Sequence, residues 1–177
     1  RKRIERSIAP LQEFGFIYKM LKSSLVEENQ KLEIKMIRIN EIEKPTKKIL
    51  FLGYNQLQTK LIDALVANNC IVDHTDEKLE VIKGYDCAVS FGYRHILKQD
   101  VIDGLDCPIF NLHISYLPYN RGAHPNFWSF YDNTPSGVTI HLIDQGLDTG
   151  QIVKQKYVNF KESDNTFAKT YLVLIDN

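Results

Sequence analysis

The chain has 177 residues, 44% of them apolar, and its 22 basic and 22 acidic side chains give a formal net charge of zero. This length suits one ordinary domain with an additional segment, and the apolar fraction is sufficient for a buried core. Proteins that bind nucleic acid through phosphates usually carry a basic excess, so the charge balance argues against a tRNA or DNA partner.

The cysteine and hydropathy patterns exclude further classes. Cys70, Cys87 and Cys107 are too widely spaced for a zinc motif or a disulfide framework, so we expect free thiols in a reducing cytoplasm. No apolar run approaches the roughly 20 residues of a membrane-spanning helix, and no signal peptide is visible. We therefore expect a cytoplasmic protein without a membrane partner.

The first stretch, residues 1–40, is expected to be a fragment of an upstream domain. Strand-like runs at 16–21 and 32–39 flank a polar turn and predict a hairpin. The charged, proline-containing segment 41–47 predicts a linker to a main domain over 48–177. Because the chain lacks an initial Met and ends in an amphipathic helical pattern, both ends are expected to be cuts through a longer protein.

From residue 48 onward, strand and helix patterns alternate, which predicts an α/β fold with a Rossmann-like, mostly parallel sheet flanked by helices. Continuous apolar runs predict buried strands at 49–52, 71–72, 86–91 and 108–112. Helical spacing of apolar residues predicts one helix through Leu57, Leu61 and Leu65 and another around Val101, Ile102 and Leu105.

The second half predicts a short helix over 125–131, a half-buried alternating strand over 138–142 and a strand over 151–160. A final helix follows, for which Ser163, Asp164 and Asn165 are the expected N-cap candidates.

Asn111 and His113 lie two residues apart at the end of a predicted buried strand, so their side chains share one face of the sheet. Ligands of open α/β sheets bind at the carboxyl ends of strands, and a polar pair there is costly unless it is hydrogen-bonded or used. Further along the chain, Gly146 and Gly150 bracket Asp148, which suggests a tight turn presenting a carboxylate.

These three residue types suit the attack of an amine on a carbonyl carbon. The Asn111 amide and a protonated His113 can donate to the developing oxyanion. Asp148 can hold His113 in its charged form and receive the proton of the amine. Asp144 is an alternative acid in the same loop, with a loop-shaping role as the favoured interpretation.

Four ordered motifs carry a family resemblance: residues 110–118, the pair Arg121-Gly122, residues 137–141 and residues 144–150. Together they resemble the folate-dependent formyltransferases, a family that includes glycinamide ribonucleotide, methionyl-tRNA and nucleotide-sugar N-formyltransferases. The resemblance covers about residues 48–167. It implies the formyltransferase fold, 10-formyltetrahydrofolate as formyl donor, no metal, and Asn111, His113 and Asp148 as the catalytic triad.

The resemblance also implies a pterin cleft lined largely by backbone. The two segments that would form it contribute Phe91, Gly92, Tyr93, Arg94, His95, Ile96 and Leu97, and Ile143, Asp144, Gln145 and Gly146.

Residues 116–130 look most like the nucleotide-sugar branch of the family, which implies a nucleotide-linked amino sugar as acceptor. The candidate acceptor contacts are Tyr116, Arg121, His124 and Trp128. Dimers are common in families that resemble this one, so a homodimer is the suggested assembly.

Separately, residues 6–9 and 14–16 resemble the C-terminal end of a GNAT-type N-acetyltransferase. We expect no acetyltransferase activity in this chain.

Alternatives remain open. The acceptor could be Met-tRNA or a small metabolite amine, or the chain could be a folate- or nucleotide-binding module without turnover.

His141 alternates with core residues and is interpreted as a structural hydrogen-bonding residue. The aromatic residues of 127–131 have the spacing of a helix core. Gly53 is a lone glycine after the first strand, which argues against a dinucleotide fingerprint.

Overall fold

The structure, a computed structural model, describes residues 35–80 and 83–177. The described residues belong to one compact unit. The hairpin, the upstream domain and the acetyltransferase resemblance predicted for the first stretch fall almost wholly outside the described residues. The described part contains strands β1 Ile37–Arg38, β2 Lys47–Gly53, β3 Cys70–Thr75, β4 Cys87–Phe91, β5 Ile109–His113, β6 Gly137–Leu142 and β7 Ile152–Tyr157, and helices α1 Leu61–Ala67, α2 Gln99–Gly104, α3 Pro125–Tyr131 and α4 Phe167–Asp176.

The seven strands form one sheet in the order β1-β3-β2-β4-β5-β6-β7. The central strands β3, β2, β4 and β5 are mutually parallel, while β1, β6 and β7 pair antiparallel. This arrangement confirms the predicted Rossmann-like α/β fold. Because β4 and β5 run parallel from the middle of the sheet, their carboxyl ends meet at the same edge.

The central strands are buried on both faces, as continuous apolar runs require, whereas the edge strands β1 and β7 are largely exposed. Leu50 and Leu52 of β2 point to a cluster completed by Val101 of α2 and by Ile109 of β5. The intervening Phe51 points to a second cluster that includes Ile62 of α1. Because Ile109, Asn111 and His113 alternate on one face of β5, the two polar side chains lie on the face covered by α2.

Three local predictions need correction. Leu57 lies outside α1 and is 97% exposed, because the chain turns over residues 56–58 and the helix starts only at Leu61. The N-cap of α4 is Thr166, whose hydroxyl accepts from the Lys169 amide, instead of one of the three preceding candidates. Residues 37–38, assigned to the upstream stretch, form β1 and pair with β3 in the main sheet.

Candidate active site

The Asp148 loop is shaped by two glycines and by a left-handed residue. A Cβ at Gly150 would overlap the Leu142 carbonyl, and a Cβ at Gly146 would overlap the Thr149 side chain. Asp148 itself has a φ of 50°, in the left-handed region that Asp tolerates better than most residues. The tight turn predicted from the glycines therefore exists and directs the Asp148 carboxylate back toward β5.

The structure brings the three predicted catalytic residues together. Asn111 Nδ2 donates to Asp148 Oδ1 at 3.2 Å, and His113 Nδ1 lies 3.6 Å from Asp148 Oδ2. The Gly122 amide donates to the same Oδ2 at 2.7 Å. The carboxylate thus has a defined partner on each oxygen, which fixes its orientation relative to the tip of β5.

His141 is a fourth member of this cluster. It pairs directly with Asn111 in the β5–β6 ladder, and its Nε2 lies 3.1 Å from Asn111 Nδ2 and 3.4 Å from Asp148 Oδ1. Its Nδ1 donates to the Leu142 carbonyl at 2.8 Å. The sequence interpretation of His141 as a structural residue therefore omitted a contact with the candidate acid. The β5–β6 pairing places His141 and Thr139 on the face that carries His113, which their two-residue spacing alone does not indicate.

The surroundings of His113 favour its neutral form, contrary to the expectation of a charged imidazole. Burial lowers the pKa of His113, and this effect outweighs the raising effects of Asp148 and of the Asn120 carbonyl. Only 8% of the residue is exposed. Since Nε2 lies 2.9 Å from that carbonyl, which can only accept, we place the proton of the neutral ring on Nε2.

The pKa values of Asp148 and His141 shift in the directions expected of an acid and a base in contact. Burial acts to raise the pKa of Asp148, but the contacts with His141, His113 and the Gly122 amide together hold it below its usual value. Burial acts to lower the pKa of His141, but the contact with Asp148 and the Leu142 carbonyl raise it overall. An ionised Asp148 is therefore shared between two imidazoles.

The two segments predicted to hold a pterin lie on the face of the sheet that carries the triad, except for Phe91, whose side chain packs in the Phe51 cluster on the opposite face. Tyr93, Leu97 and Ile143 pack against the same buried cluster as Ile109. The Ile143 amide donates to the Ile109 carbonyl at 2.8 Å. Both segments therefore follow strands that flank the catalytic tip of β5.

Within these segments, side chains are held locally while much of the backbone forms no hydrogen bond to other backbone groups. The Tyr93 hydroxyl bridges the Leu79 amide and the Glu77 carbonyl, and His95 Nε2 lies 3.1 Å from the Asp76 carbonyl. Among the described residues, the main-chain groups of residues 93–97 form no backbone hydrogen bond outside helices and strands. Asp144 accepts from the Gly146 amide and the Thr149 hydroxyl, which supports its loop-shaping role.

The four candidate acceptor contacts are distributed over the loop after β5 and the helix that follows. Tyr116 stacks on Tyr157 of β7, with ring centroids 3.7 Å apart. Arg121 is exposed and precedes Gly122, the residue that binds Asp148. His124, the exposed N-cap residue of α3, has a φ of 57°, and Trp128 packs edge-on against neighbouring aromatic rings of α3.

The opposite face of the sheet carries a cavity. A cavity of about 370 Å³ lies between α1, α4 and the sheet, with walls that include Leu112, Ile140 and Leu174.

In residues 35–80 and 83–177, no group of three or more His, Cys, Asp or Glu side chains could hold a metal ion. No helix of these ranges is long and apolar enough to cross a membrane.

The fold and the cluster together define a class of Rossmann-like α/β domain with a polar site at the carboxyl ends of its parallel strands. Within that class the assignment is specific. The family model described as formyl transferase matches residues 47–171, and the chain belongs to this family.

Individual relatives agree with the assignment. The chain is 35% identical over 104 residues to the dTDP-4-amino-4,6-dideoxyglucose formyltransferase of Mycobacterium bovis, an alignment covering 59% of this chain and 43% of that protein. It is 40% identical over 88 residues to the methionyl-tRNA formyltransferase of Elusimicrobium minutum, covering 49% of this chain and 26% of that protein. The chain thus spans less than half the length of either relative.

A solved structure extends the similarity to three dimensions. It is the formyltransferase PseJ from Anoxybacillus kamchatkensis in complex with UDP-4,6-dideoxy-4-formamido-L-AltNAc and tetrahydrofolate. The two chains are 41% identical, with a TM-score of 0.63, and the match covers 72% of this chain and 68% of that one.

Proposed function

We propose that this protein transfers a formyl group from 10-formyltetrahydrofolate to the amine of a nucleotide-linked amino sugar. The observation that carries the proposal is the contact of the Asp148 carboxylate with both Asn111 and His113 in a chain of the formyl transferase family. The relatives named for, or crystallised with, nucleotide-linked sugars support this branch over the others.

The residues around the triad fit the proposed formyl donor. A pterin is flat, with hydrogen-bonding groups along its edge. The main-chain N–H and C=O groups of residues 93–97, which form no backbone hydrogen bond outside helices and strands, can recognise such an edge. The second segment, Ile143 to Gly146, flanks the same strand. The donor supplies an activated formyl carbon, so the protein has to position it, stabilise an oxyanion and move one proton.

Asp148 and His113 are arranged to take up that proton. With His113 neutral and protonated on Nε2, the Nδ1 lone pair faces Asp148 Oδ2 at 3.6 Å with no proton between the two acceptors. As the amine nitrogen bonds to the formyl carbon, its proton passes to Asp148 and is shared with His113 Nδ1. It then leaves with the folate nitrogen when the old C–N bond breaks.

The same proton transfer also helps to stabilise the oxyanion. The Asn111 amide, which contacts Asp148 and His141 in the free protein, turns one N–H to the oxyanion, and His113 becomes cationic when the pair gains the proton. A donor of this kind typically contributes about 10²- to 10³-fold in rate. The positive charge on His113 therefore develops during the reaction instead of being present in the free protein.

For the acceptor we propose the surface formed by Tyr116, Arg121, His124 and Trp128. Arg121 is the most specific of these, because it is exposed and its neighbour Gly122 donates its amide to Asp148, which places the main chain of Arg121 beside the reacting centre. A guanidinium can bind phosphate oxygens in a bidentate manner, as a sugar nucleotide would require.

The test is incubation of the protein with 10-formyltetrahydrofolate and a panel of nucleotide-linked amino sugars, followed by mass spectrometry for the gain of one formyl group. His113→Asn should lose formyl transfer by at least about 10²-fold while keeping the far-UV circular dichroism of the unaltered protein. Retention of most of the activity by this variant would refute the assigned role.

A methionyl-tRNA acceptor is the second candidate, because the Elusimicrobium relative is named for that substrate. Salt distinguishes the two acceptors. Binding of tRNA weakens steeply as salt rises because counterions are released from its phosphates, whereas a single sugar nucleotide carries few phosphates. A steep logarithmic dependence of the acceptor KM on salt would favour tRNA.

A further inference from the structure

Tyr54 covers the back of the first proposed pterin segment. It directly follows β2, and its amide donates to the Phe91 carbonyl at 2.8 Å. Its ring meets the Phe91 ring edge-on, with centroids 5.0 Å apart. A Cβ at Gly92 would overlap the Tyr54 ring, so only glycine allows this ring to lie directly on the main chain of residue 92.

The hydroxyl of Tyr54 connects this contact to α4. It is hydrogen-bonded to the hydroxyl of Tyr171, which lies in the second turn of that helix, 117 residues further along the chain. Burial and this hydrogen bond both raise the pKa of Tyr54, so the hydroxyl remains protonated at neutral pH. Ile175, one helical turn beyond Tyr171, packs against the same apolar cluster as Phe91 and Tyr54.

Gly92 precedes the stretch 93–97, whose main-chain groups form no backbone hydrogen bond outside helices and strands. Such a loop is held by its side chains and by what packs against it: Tyr93 and His95 are hydrogen-bonded further along, and the start of the loop depends on packing. Tyr54 is that packing element at Gly92, and Tyr171 fixes Tyr54 in turn. The C-terminal helix therefore has a physical connection to the donor segment without touching the reacting atoms.

We infer that Tyr54 and Tyr171 act as one positioning unit for residues 92–97 and thereby set the affinity for the folate donor. The inference rests on the proposed function for its choice of ligand. It predicts that the two hydroxyls matter only as a pair, that the effect falls on folate binding, and that chemistry at Asp148 proceeds at its normal rate once the donor is bound.

The experiment is a double-mutant cycle with Tyr54→Phe, Tyr171→Phe and the double variant, read as the Kd for tetrahydrofolate by calorimetry. Phenylalanine keeps the ring on Gly92 and removes only the hydroxyl. Each single variant should raise Kd about fivefold, as expected for one lost hydrogen bond, and the double variant should raise it by the same factor. The kcat at saturating donor should be unchanged in all three variants.

Tyr85→Phe is the matched control. The Tyr85 hydroxyl is also buried and donates to Asp73 at 2.8 Å. Its recorded hydrogen-bond partners are Asp73 and Met36, both outside residues 92–97, and phenylalanine keeps its ring in the core, so its loss should leave the tetrahydrofolate Kd unchanged. Single variants that bind like the unaltered protein, or a double variant weakened by the product of the two single factors, would overturn the inference.

Hydrogen exchange of the Tyr54 amide, which is bonded to the Phe91 carbonyl, gives a readout that does not depend on the ligand. Exchange of this amide should accelerate equally in the two single variants and in the double variant. Failure of the unaltered protein to bind tetrahydrofolate would refute the proposed donor, whereas unchanged amide exchange in the variants would refute the positioning unit even if the donor binds.

Discussion

The Asp148 carboxylate is contacted by two imidazoles, an amide side chain and a backbone N–H, yet only one of the imidazoles was expected from the sequence. His113 was identifiable because it shares a strand tip with Asn111. His141 was not, because a histidine that alternates with apolar residues has the same pattern whether it is structural or part of a site. Its contact with Asp148 depends on strand pairing between segments 30 residues apart, which no local pattern reports.

Substitutions of Asp148 and Asp144, two aspartates of one loop, should have different effects on kcat. Asp148→Asn keeps the size of the side chain but removes the proton acceptor, so kcat should fall by about 10²- to 10⁴-fold. Asp144→Asn should change kcat little, because Asp144 contacts only Gly146 and Thr149 in its own loop, and any effect should fall on the donor KM. Steady-state kinetics with both variants checks this, and comparable losses of kcat would contradict the assignment of Asp148.

The stability of the cluster should depend on pH through His141. Its pKa is raised in the folded state, so it stabilises the fold fully below the unfolded value of about 6.5, and this contribution is lost as the pH rises through the folded pKa. The difference in unfolding free energy between the unaltered protein and His141→Gln should therefore shrink between pH 6 and pH 9. Urea denaturation across this range measures it, and a constant difference would show that His141 does not gain a proton-dependent partner.

At the scale of elements, the loop between β5 and α3 is held in place from β7. Gln155 Nε2 donates to the Leu117 carbonyl at 2.7 Å and to the Thr139 hydroxyl at 3.1 Å, and Thr139 in turn donates to the Ser115 carbonyl. This loop continues to Asn120, whose carbonyl is the partner of His113. The edge strand therefore contributes to the orientation of a histidine two strands away.

Removing the Gln155 hydrogen bonds should lower kcat more than it weakens the binding of the donor. Gln155→Leu should lower kcat about tenfold, because it leaves the Leu117 carbonyl unpaired and frees the loop that orients His113. The Kd for tetrahydrofolate should stay within about twofold. Lys154→Leu, at the exposed neighbouring position of β7, is the control and should keep full activity. Equal losses in both variants would indicate a general effect of leucine on the edge strand.

Most central elements were predictable because continuous apolar runs have few alternatives in a parallel sheet. The runs at 49–52 and 86–91 both correspond to observed strands. Leu57 was wrongly placed in a helix because helical spacing alone cannot distinguish a buried face from a turn that precedes it. The two-residue strand β1 lies within the strand-like run predicted at 32–39, but its pairing with β3 of the main sheet was not predictable, since Ile37 and Arg38 are both exposed and no local pattern reports a partner strand.

For the whole molecule, one charged network joins β1 to the central sheet. Arg38 Nε donates to Asp73 Oδ1 at 2.8 Å, Tyr85 donates to the other carboxylate oxygen, and Lys48 Nζ lies 3.7 Å away. Asp73 is 4% exposed. Burial acts to raise the pKa of Asp73, but its hydrogen bonds with Arg38 and Tyr85 lower it overall, so the carboxylate is ionised in the fold.

This network should contribute to global stability and not to catalysis. Asp73→Ala leaves the Tyr85 hydroxyl without its acceptor and should lower the unfolding free energy by about 2 kcal/mol, measured by urea denaturation. The contribution should be present at pH 7 and decline as the pH falls below about 4, because the folded pKa lies beneath the unfolded value. A variant with unchanged stability at pH 7 but reduced turnover would assign Asp73 to the site instead.

The direct pairing of Asn111 with His141 and of His113 with Thr139 has a consequence for how this molecule can change. Deleting or inserting one residue in β6 would invert its alternation, bringing Val138 or Ile140 over the carboxylate and sending the second imidazole among aliphatic side chains behind the sheet. The segment between β5 and β6 is free of that register constraint. New acceptor preferences should therefore arise in this segment, while the length of β6 stays fixed.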